Sequence, residues 1–173
     1  MTGPHLSTAR TVLRPLGADD LTFTHALWID PGVRRYLWDG VVIELHRAAE
    51  VIAASEEHFQ THGYGLWAVC EPATGELMGV CGFRPSESNE PELLFGFWPR
   101  YWGQGIANES ARAVIAYAFD ILQAPVIVAA TDVPNESSIR ALQRLGMMME
   151  RRGTLNGLDT FFFRLTRDVD KAK

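Results

Sequence analysis

Cysteine is scarce in this chain, with only Cys70 and Cys81 among 173 residues. Both lie inside apolar strand-like runs, so they read as buried thiols rather than a disulfide, which makes the cytoplasm the expected compartment. No apolar run approaches the roughly 20 residues that span a bilayer, and no membrane association is expected. Residues 1–10 lack the apolar core of a secretory signal. Positive charge is also short: 16 Lys and Arg stand against 21 Asp and Glu, a net charge of −5. Proteins that take nucleic acid usually carry a basic face, so nucleic acid is not expected as a partner. The acidity is compatible with a cationic acceptor and also with solubility alone. No Gly-Lys-Ser/Thr occurs at the one glycine-spaced turn, which excludes a Walker loop there. A dinucleotide fingerprint needs three spaced glycines opening a first βαβ unit, and this turn has two, midway along the chain. No internal repeat, low-complexity tract or linker divides the sequence.

What is present is a globular composition, 47% hydrophobic and 21% charged, long enough to bury a sizeable core in one domain over 1–173, its core about 10–168. The organising stretch begins at Glu92. Residues 93–98 are a short, aromatic-rich apolar run closed by Pro99, which reads as a strand. Gly103-Gln104-Gly105 then forms a glycine-spaced turn. From Ile106 the apolar period changes, with Ala107, Ala111, Val114, Ala118 and Ile121 at helical spacing, and Gln123-Ala124-Pro125 ends the helix. A strand, a glycine turn and a helix N-terminus make an anion site. The first N–H groups of the helix lack partners, the dipole is positive there, and glycine lets a phosphate approach. Arg100, just upstream, adds positive charge. The same pattern also fits an ordinary strand-to-helix turn.

Around this centre, residues 1–9 read as a loose start and residues 11–16 as a strand stopped by Pro15. Asp19 or Asp20 is expected to cap a helix through Trp28, and residues 30–37 form a second short helix. A longer helix is expected over 44–62, with Leu45, Ala48, Val51, Ile52, Ser55 and Phe59 on one side and Gly63 as its stop. His58 and His62 stand four apart, a spacing that can chelate zinc, but no third ligand is recognisable nearby, and no metal is expected. Residues 66–70 and 77–83 form a hairpin. Residues 126–131 read as a buried strand parallel to the central one, joined by a right-handed crossover. Asn135 opens a helix carrying Ile139, Leu142 and Leu145, and Asn156-Gly157 marks a final hairpin.

Arg100-Tyr101-Trp102-Gly103-Gln104-Gly105 resembles the acyl-CoA pyrophosphate signature of the GNAT superfamily. The longer text Tyr-Trp-Gly-Gln-Gly-Ile-Ala-Asn-Glu, with Tyr-Ala-Phe inside the helix, is similar to the RimJ/RimL-like branch, as are the opening Leu-Arg-Pro and Asp-Asp-Leu. The resemblance implies a mixed α/β fold: a mostly antiparallel twisted sheet with a splayed parallel strand pair and helices on both faces. It implies acetyl-CoA as acyl donor and a primary amine as acceptor, a protein N-terminal α-amine or a small-molecule amine, in a monomer or homodimer. The pyrophosphate is expected on Arg100, Gly103, Gln104, Gly105, Ile106 and Ala107. The pantetheine arm is expected along the strand to Phe97 and Trp98, with a backbone N–H near Phe97 polarising the thioester. Asn135 stands where the family often contacts that arm, although Asn is also among the best helix N-caps. Many members carry a tyrosine acid seven residues later. Leu142 occupies that position, and Ser138 is what the branch offers instead, unless it is simply a first-turn residue. Glu92 stands where the branch often places a base, or it is a solvated strand-edge glutamate. Trp28, Tyr36 and Trp38 either line the acceptor cleft or are packed. The competing readings are a non-catalytic acyl-CoA-binding protein and a nucleotide-binding module.

Overall fold

The computed structural model of the chain describes residues 3–167. Among these residues, eight strands form one open sheet: β1 (Leu6–Ser7), β2 (Val12–Pro15), β3 (Leu66–Cys70), β4 (Leu77–Pro85), β5 (Pro91–Phe97), β6 (Val126–Asp132), β7 (Met148–Leu155) and β8 (Leu158–Thr166). Their lateral order is β1-β2-β3-β4-β5-β6-β8-β7. Every neighbouring pair is antiparallel except β5 and β6, which run parallel with a single register pair, Glu92↔Val128. Five α-helices accompany them: α1 (Leu21–Ile29), α2 (Pro31–Leu37), α3 (Leu45–His62), α4 (Ile106–Asp120) and α5 (Glu136–Arg144). This is the mixed α/β architecture expected from the sequence, with its parallel pair parted beyond one bridge.

Local chemistry sets most element ends. Asp30 Oδ1 accepts from the N–H groups of Gly32 and Val33 at 2.9 and 3.2 Å, capping α2 with Pro31 at its first position. α3 stops where Gly63 takes φ 77°. Asn156 (φ 50°) and Gly157 (φ 81°) both turn left-handed, as a two-residue hairpin loop of type I′ requires.

Three local expectations are corrected. The start is not wholly loose, because Leu6 and Ser7 pair with Leu13 and Val12. Asp20 does not cap α1 through its side chain. It is 4% exposed and accepts two bonds from Arg14, at 2.8 and 2.6 Å, and one from Gly17 N–H at 3.0 Å. A buried carboxylate needs such charge-assisted partners. Ile121 does not extend the apolar face of α4. It is 67% exposed, because the chain leaves the helix with Leu122 N–H returning to Tyr117 O and Ala124 N–H to Ala118 O.

The sheet is covered on both sides. Odd-numbered residues of β5, such as Leu93 and Phe97, join the core under α4 and α5, with Val114, Ala118, Leu142 and Phe163. Even-numbered Leu94 packs on the opposite cluster, built from Leu27, Trp28, Val33 and Ile52 of α1, α2 and α3. The Trp28 and Trp38 rings pack there at 5.4 Å, tilted 59° to each other. α2 lies on the central strand, since a Cβ on Gly96 would sit 3.2 Å from Leu37.

Candidate active site

The parting of β5 from β6 leaves backbone groups free inside the sheet. Trp98 N–H donates to Met78 O at 3.2 Å. Hydrogen-bonded and non-bonded pairs alternate along an antiparallel ladder, so Trp98, Gly96 and Leu94 direct their backbone at β4. Phe95 and Phe97 therefore direct theirs the other way, into the gap beyond the Glu92↔Val128 bridge. Phe97 O accepts the indole N–H of Trp102 at 2.8 Å, which leaves Phe97 N–H as the donor facing the gap. Phe97 N–H, the donor expected to polarise the thioester, thus lies on the edge of β5 turned away from β4. Trp98 lies just past the strand, its N–H engaged by Met78 and its ring edge-on to Phe23 of α1 at 6.0 Å.

The glycine turn runs into the start of α4. Gly103 and Gly105 take φ 73° and 78°, and Gly105 is the N-cap of α4. The first intrahelical bond runs from Glu109 N–H to Gly105 O at 3.0 Å, so the N–H groups of Ile106, Ala107 and Asn108 have no helical acceptor. A Cβ on Gly103 would meet nothing within 4 Å. Gln104 does not offer its side chain outward: its Nε2 donates to Arg100 O at 2.6 Å and closes the turn.

The nearest cation is not the one read from the motif. The Arg100 guanidinium pairs with Glu76 at 2.5 Å and lies over the Tyr101 ring at 5.0 Å. Arg10, which sequence reasoning passed over, donates from Nη1 to Gln104 O at 2.9 Å and pairs with Glu109. Hydrogen bonds from Thr8 and Arg10 hold the Glu109 carboxyl below the usual carboxylate range. Ninety-nine residues separate Arg10 from Glu109, so no local pattern announced the pair.

Glu92 lies at the closed end of the gap, on the α1–α2 face. Both its oxygens accept from Arg84, at 2.9 and 3.1 Å. The signal for this pair was available, because a hairpin pivoting on residues 86–90 sets Arg84 opposite Glu92. At the open end stands Asp132, another missed residue. Burial, and secondarily the carboxylate of Asp39, raise its pKa. Tyr36 of α2 reaches the same end, donating to Pro134 O at 3.3 Å.

Asn135 caps α5, its Oδ1 accepting from Ser138 N–H at 3.2 Å and Ser137 hydroxyl at 3.0 Å. Ser138 is half-buried in the first turn. Leu142, one turn on, is 2% exposed and fills the core beneath α4. The position where a tyrosine is common has become a packing position. Both cysteines are free and buried, and burial raises both thiols, so neither is an activated nucleophile. The His58 and His62 rings stack at 4.7 Å, and no group of three metal-ligating side chains gathers among the described residues.

A family model described as "Acetyltransferase (GNAT) domain" matches residues 10–148. The chain belongs to the GNAT acetyltransferase family. This acetyltransferase is 31% identical over 132 residues to the uncharacterized protein YkkB of Bacillus subtilis (strain 168), covering 75% of the chain and 76% of that protein. It is 30% identical over 174 residues to the FsC-acetyl coenzyme A-N(2)-transacetylase of Aspergillus fumigatus, covering 92% of the chain and 68% of that protein. Among solved structures, an acetyltransferase from Agrobacterium tumefaciens str. C58 superposes with a TM-score of 0.85 at 23% identity, covering 96% of each chain. The structural likeness supports the fold, and the family match supports an N-acetyltransferase.

Proposed function

We propose that the protein transfers an acetyl group from acetyl-CoA to a primary amine by direct attack, as a RimJ/RimL-like member of its family acting in the cytoplasm. One observation carries the reading: the parted strand pair leaves Phe97 N–H without a ladder partner, beside a glycine turn with unpaired helix N–H groups. Pyrophosphate lies on the turn from Gly103 to Ala107. The pantetheine arm follows the free edge of β5 as an added strand would, and Asn135 borders it. Phe97 N–H polarises the thioester carbonyl and receives the developing oxyanion. The amine attacks from the α1–α2 side. Glu92 takes its proton, directly or through water, and Ser138 protonates the departing thiolate.

The acceptor is a protein α-amine or a small-molecule amine. Freeing an α-amine of pKa about 8 costs about 1.4 kcal/mol at pH 7, against about 4.6 for a lysine near 10.4. A modest general base therefore favours the α-amine weakly over a lysine side chain. Calorimetry with acetyl-CoA, CoA and ATP, followed by CoA release assays over N-terminal peptides, amino acids and polyamines, tests the assignment. Binding of ATP without binding of CoA would overturn it. CoA binding with no turnover on any amine would favour a non-catalytic acyl-CoA-binding protein, the reading to which Leu142 in the core also points.

A further inference from the structure

The N-terminal hairpin reaches the glycine turn through one side chain. Arg10 precedes β2 and spends every guanidinium nitrogen on α4 and its N-terminal turn. Nε and Nη2 hold Glu109 Oε2 at 2.7 and 2.6 Å, and Nη1 holds Gln104 O at 2.9 Å. Glu109 is itself fixed by Arg10 N–H at 2.8 Å and by the Thr8 hydroxyl at 2.6 Å. The fork of one guanidinium therefore joins a carboxylate and a carbonyl in fixed relative positions.

The peptide it grips is the one between Gln104 and Gly105, with left-handed Gly105 (φ 78°) on its C-terminal side and left-handed Gly103 (φ 73°) one residue before it. Glycine populates both signs of φ with similar ease, so Gly105 does little by itself to keep that plane from rotating. In a trans peptide the C=O and N–H point in opposite directions. With Gln104 O held on Arg10, Gly105 N–H points to the other side of the turn, away from the hairpin. A second effect is electrostatic. Glu109 lies in the first turn of α4, where a bare carboxylate repels a phosphate drawn to the helix end. Arg10 masks it.

We propose that Arg10 is a positioning residue for the acyl donor: it locks the Gln104–Gly105 peptide with its N–H facing the pyrophosphate and neutralises Glu109 behind the turn. The inference rests on the glycine turn being the acetyl-CoA pyrophosphate site. It concerns the diphosphate alone, so it separates ligands that carry one from ligands that do not.

The test compares dissociation constants for CoA and for S-acetylpantetheine, which lacks the pyrophosphate and nucleotide, in wild type, Arg10→Ala, Arg10→Lys and Arg10→Ala/Glu109→Ala. Circular dichroism checks the fold of each. CoA affinity falls at least about tenfold in Arg10→Ala, and the preference for CoA over S-acetylpantetheine falls with it. Arg10→Lys keeps the charge but cannot span both acceptors, so it stays several-fold weaker than wild type. The double variant recovers part of the loss, because the exposed carboxylate is gone while the peptide stays unlocked. If wild type does not bind CoA, the site itself is wrong and the inference falls with it. If wild type binds CoA and the folded Arg10 variants match it within twofold, the inference alone is overturned. It is also overturned if both ligands weaken equally, the result expected of a merely structural residue. Should Arg10→Ala fail to fold, Arg10→Lys decides the matter, and wild-type affinity in that variant overturns the lock.

Discussion

Glu92 sits where a proton acceptor is wanted, yet Arg84 occupies both of its oxygens. Each oxygen accepts one bond and keeps a second lone pair, which can take the proton directly or through water. Glu92→Gln keeps the shape and removes the acceptor. The rate falls by up to roughly 10²–10⁴-fold, most at low pH where free amine is scarcest, and the deficit shrinks towards the amine's own pKa. Rates at pH 6–9 check this, and an equal deficit at every pH would remove Glu92 from the proton path. Ser138→Ala lowers kcat at all pH values and by less, because a thiolate of pKa near about 8.5 leaves fairly well unaided. Gly105 offers a cleaner experiment with its own control. At φ 78° any side chain there carries about 1–2 kcal/mol of backbone strain, so Gly105→Ala reports strain alone. Gly105→Glu adds a negative charge at the phosphate site, and CoA affinity drops a further tenfold or more, about 1.4 kcal/mol. Calorimetry showing equal affinities for the two variants would place the phosphate elsewhere.

Elements were legible wherever glycine, proline or asparagine punctuates the chain. Asp30-Pro31, Gly63, the turn at Gly103 and Gly105, and Asn156-Gly157 all stand where the sequence placed element ends, because each obeys a local rule of backbone conformation. What escaped was lateral. That β8 lies between β6 and β7, or that Glu109 meets Thr8 and Arg10 across about a hundred residues, depends on the assembled sheet and on no nearby residue. The site divides the same way. The turn and the strand were readable from their spacing, and Arg84 opposite Glu92 could have been found from the register of one hairpin, whereas the arginine that serves Gln104 is set by packing. The link between the N-terminal hairpin and α4 makes a pH-dependent prediction. The folded Glu109 carboxyl is held low, so its stabilisation is fully present above the ordinary glutamate value of about 4.3 and is lost as pH falls through the folded value. Glu109→Gln is therefore less stable than wild type at pH 7, and urea midpoints converge in strong acid. A gap that widened on acidification would contradict the assignment.

On the scale of the molecule, two cores share one sheet. Leu27 (0% exposed) belongs to the α1–α2–α3 side and Leu142 (2% exposed) to the α4–α5 side. Each truncation to alanine costs about 2–5 kcal/mol. The residues share no cluster, so the costs add within about half a kcal/mol. Both variants unfold in a single transition if the chain is one domain, and two separable transitions in Leu27→Ala would show that the faces fold apart. No helix among the described residues is long and apolar enough to cross a membrane.

The gap between β5 and β6 gives the sheet an edge in its own middle. Edge amides exchange their hydrogens with solvent through small local openings, whereas amides bonded inside a ladder exchange only when the ladder breaks. The two parities of β5 should therefore exchange at different rates. Gly96 and Trp98, bonded to β4, are slow, while Phe97, half a pleat away, is faster because its amide has no ladder bond to break, although the residue as a whole is only 3% exposed. Acetyl-CoA lying along the edge slows the fast set and leaves the slow set nearly unchanged. On the proposed placement the donor substrate supplies the strand partner that β6 withholds, and amide exchange at Phe97 becomes a gauge of how fully the site is occupied.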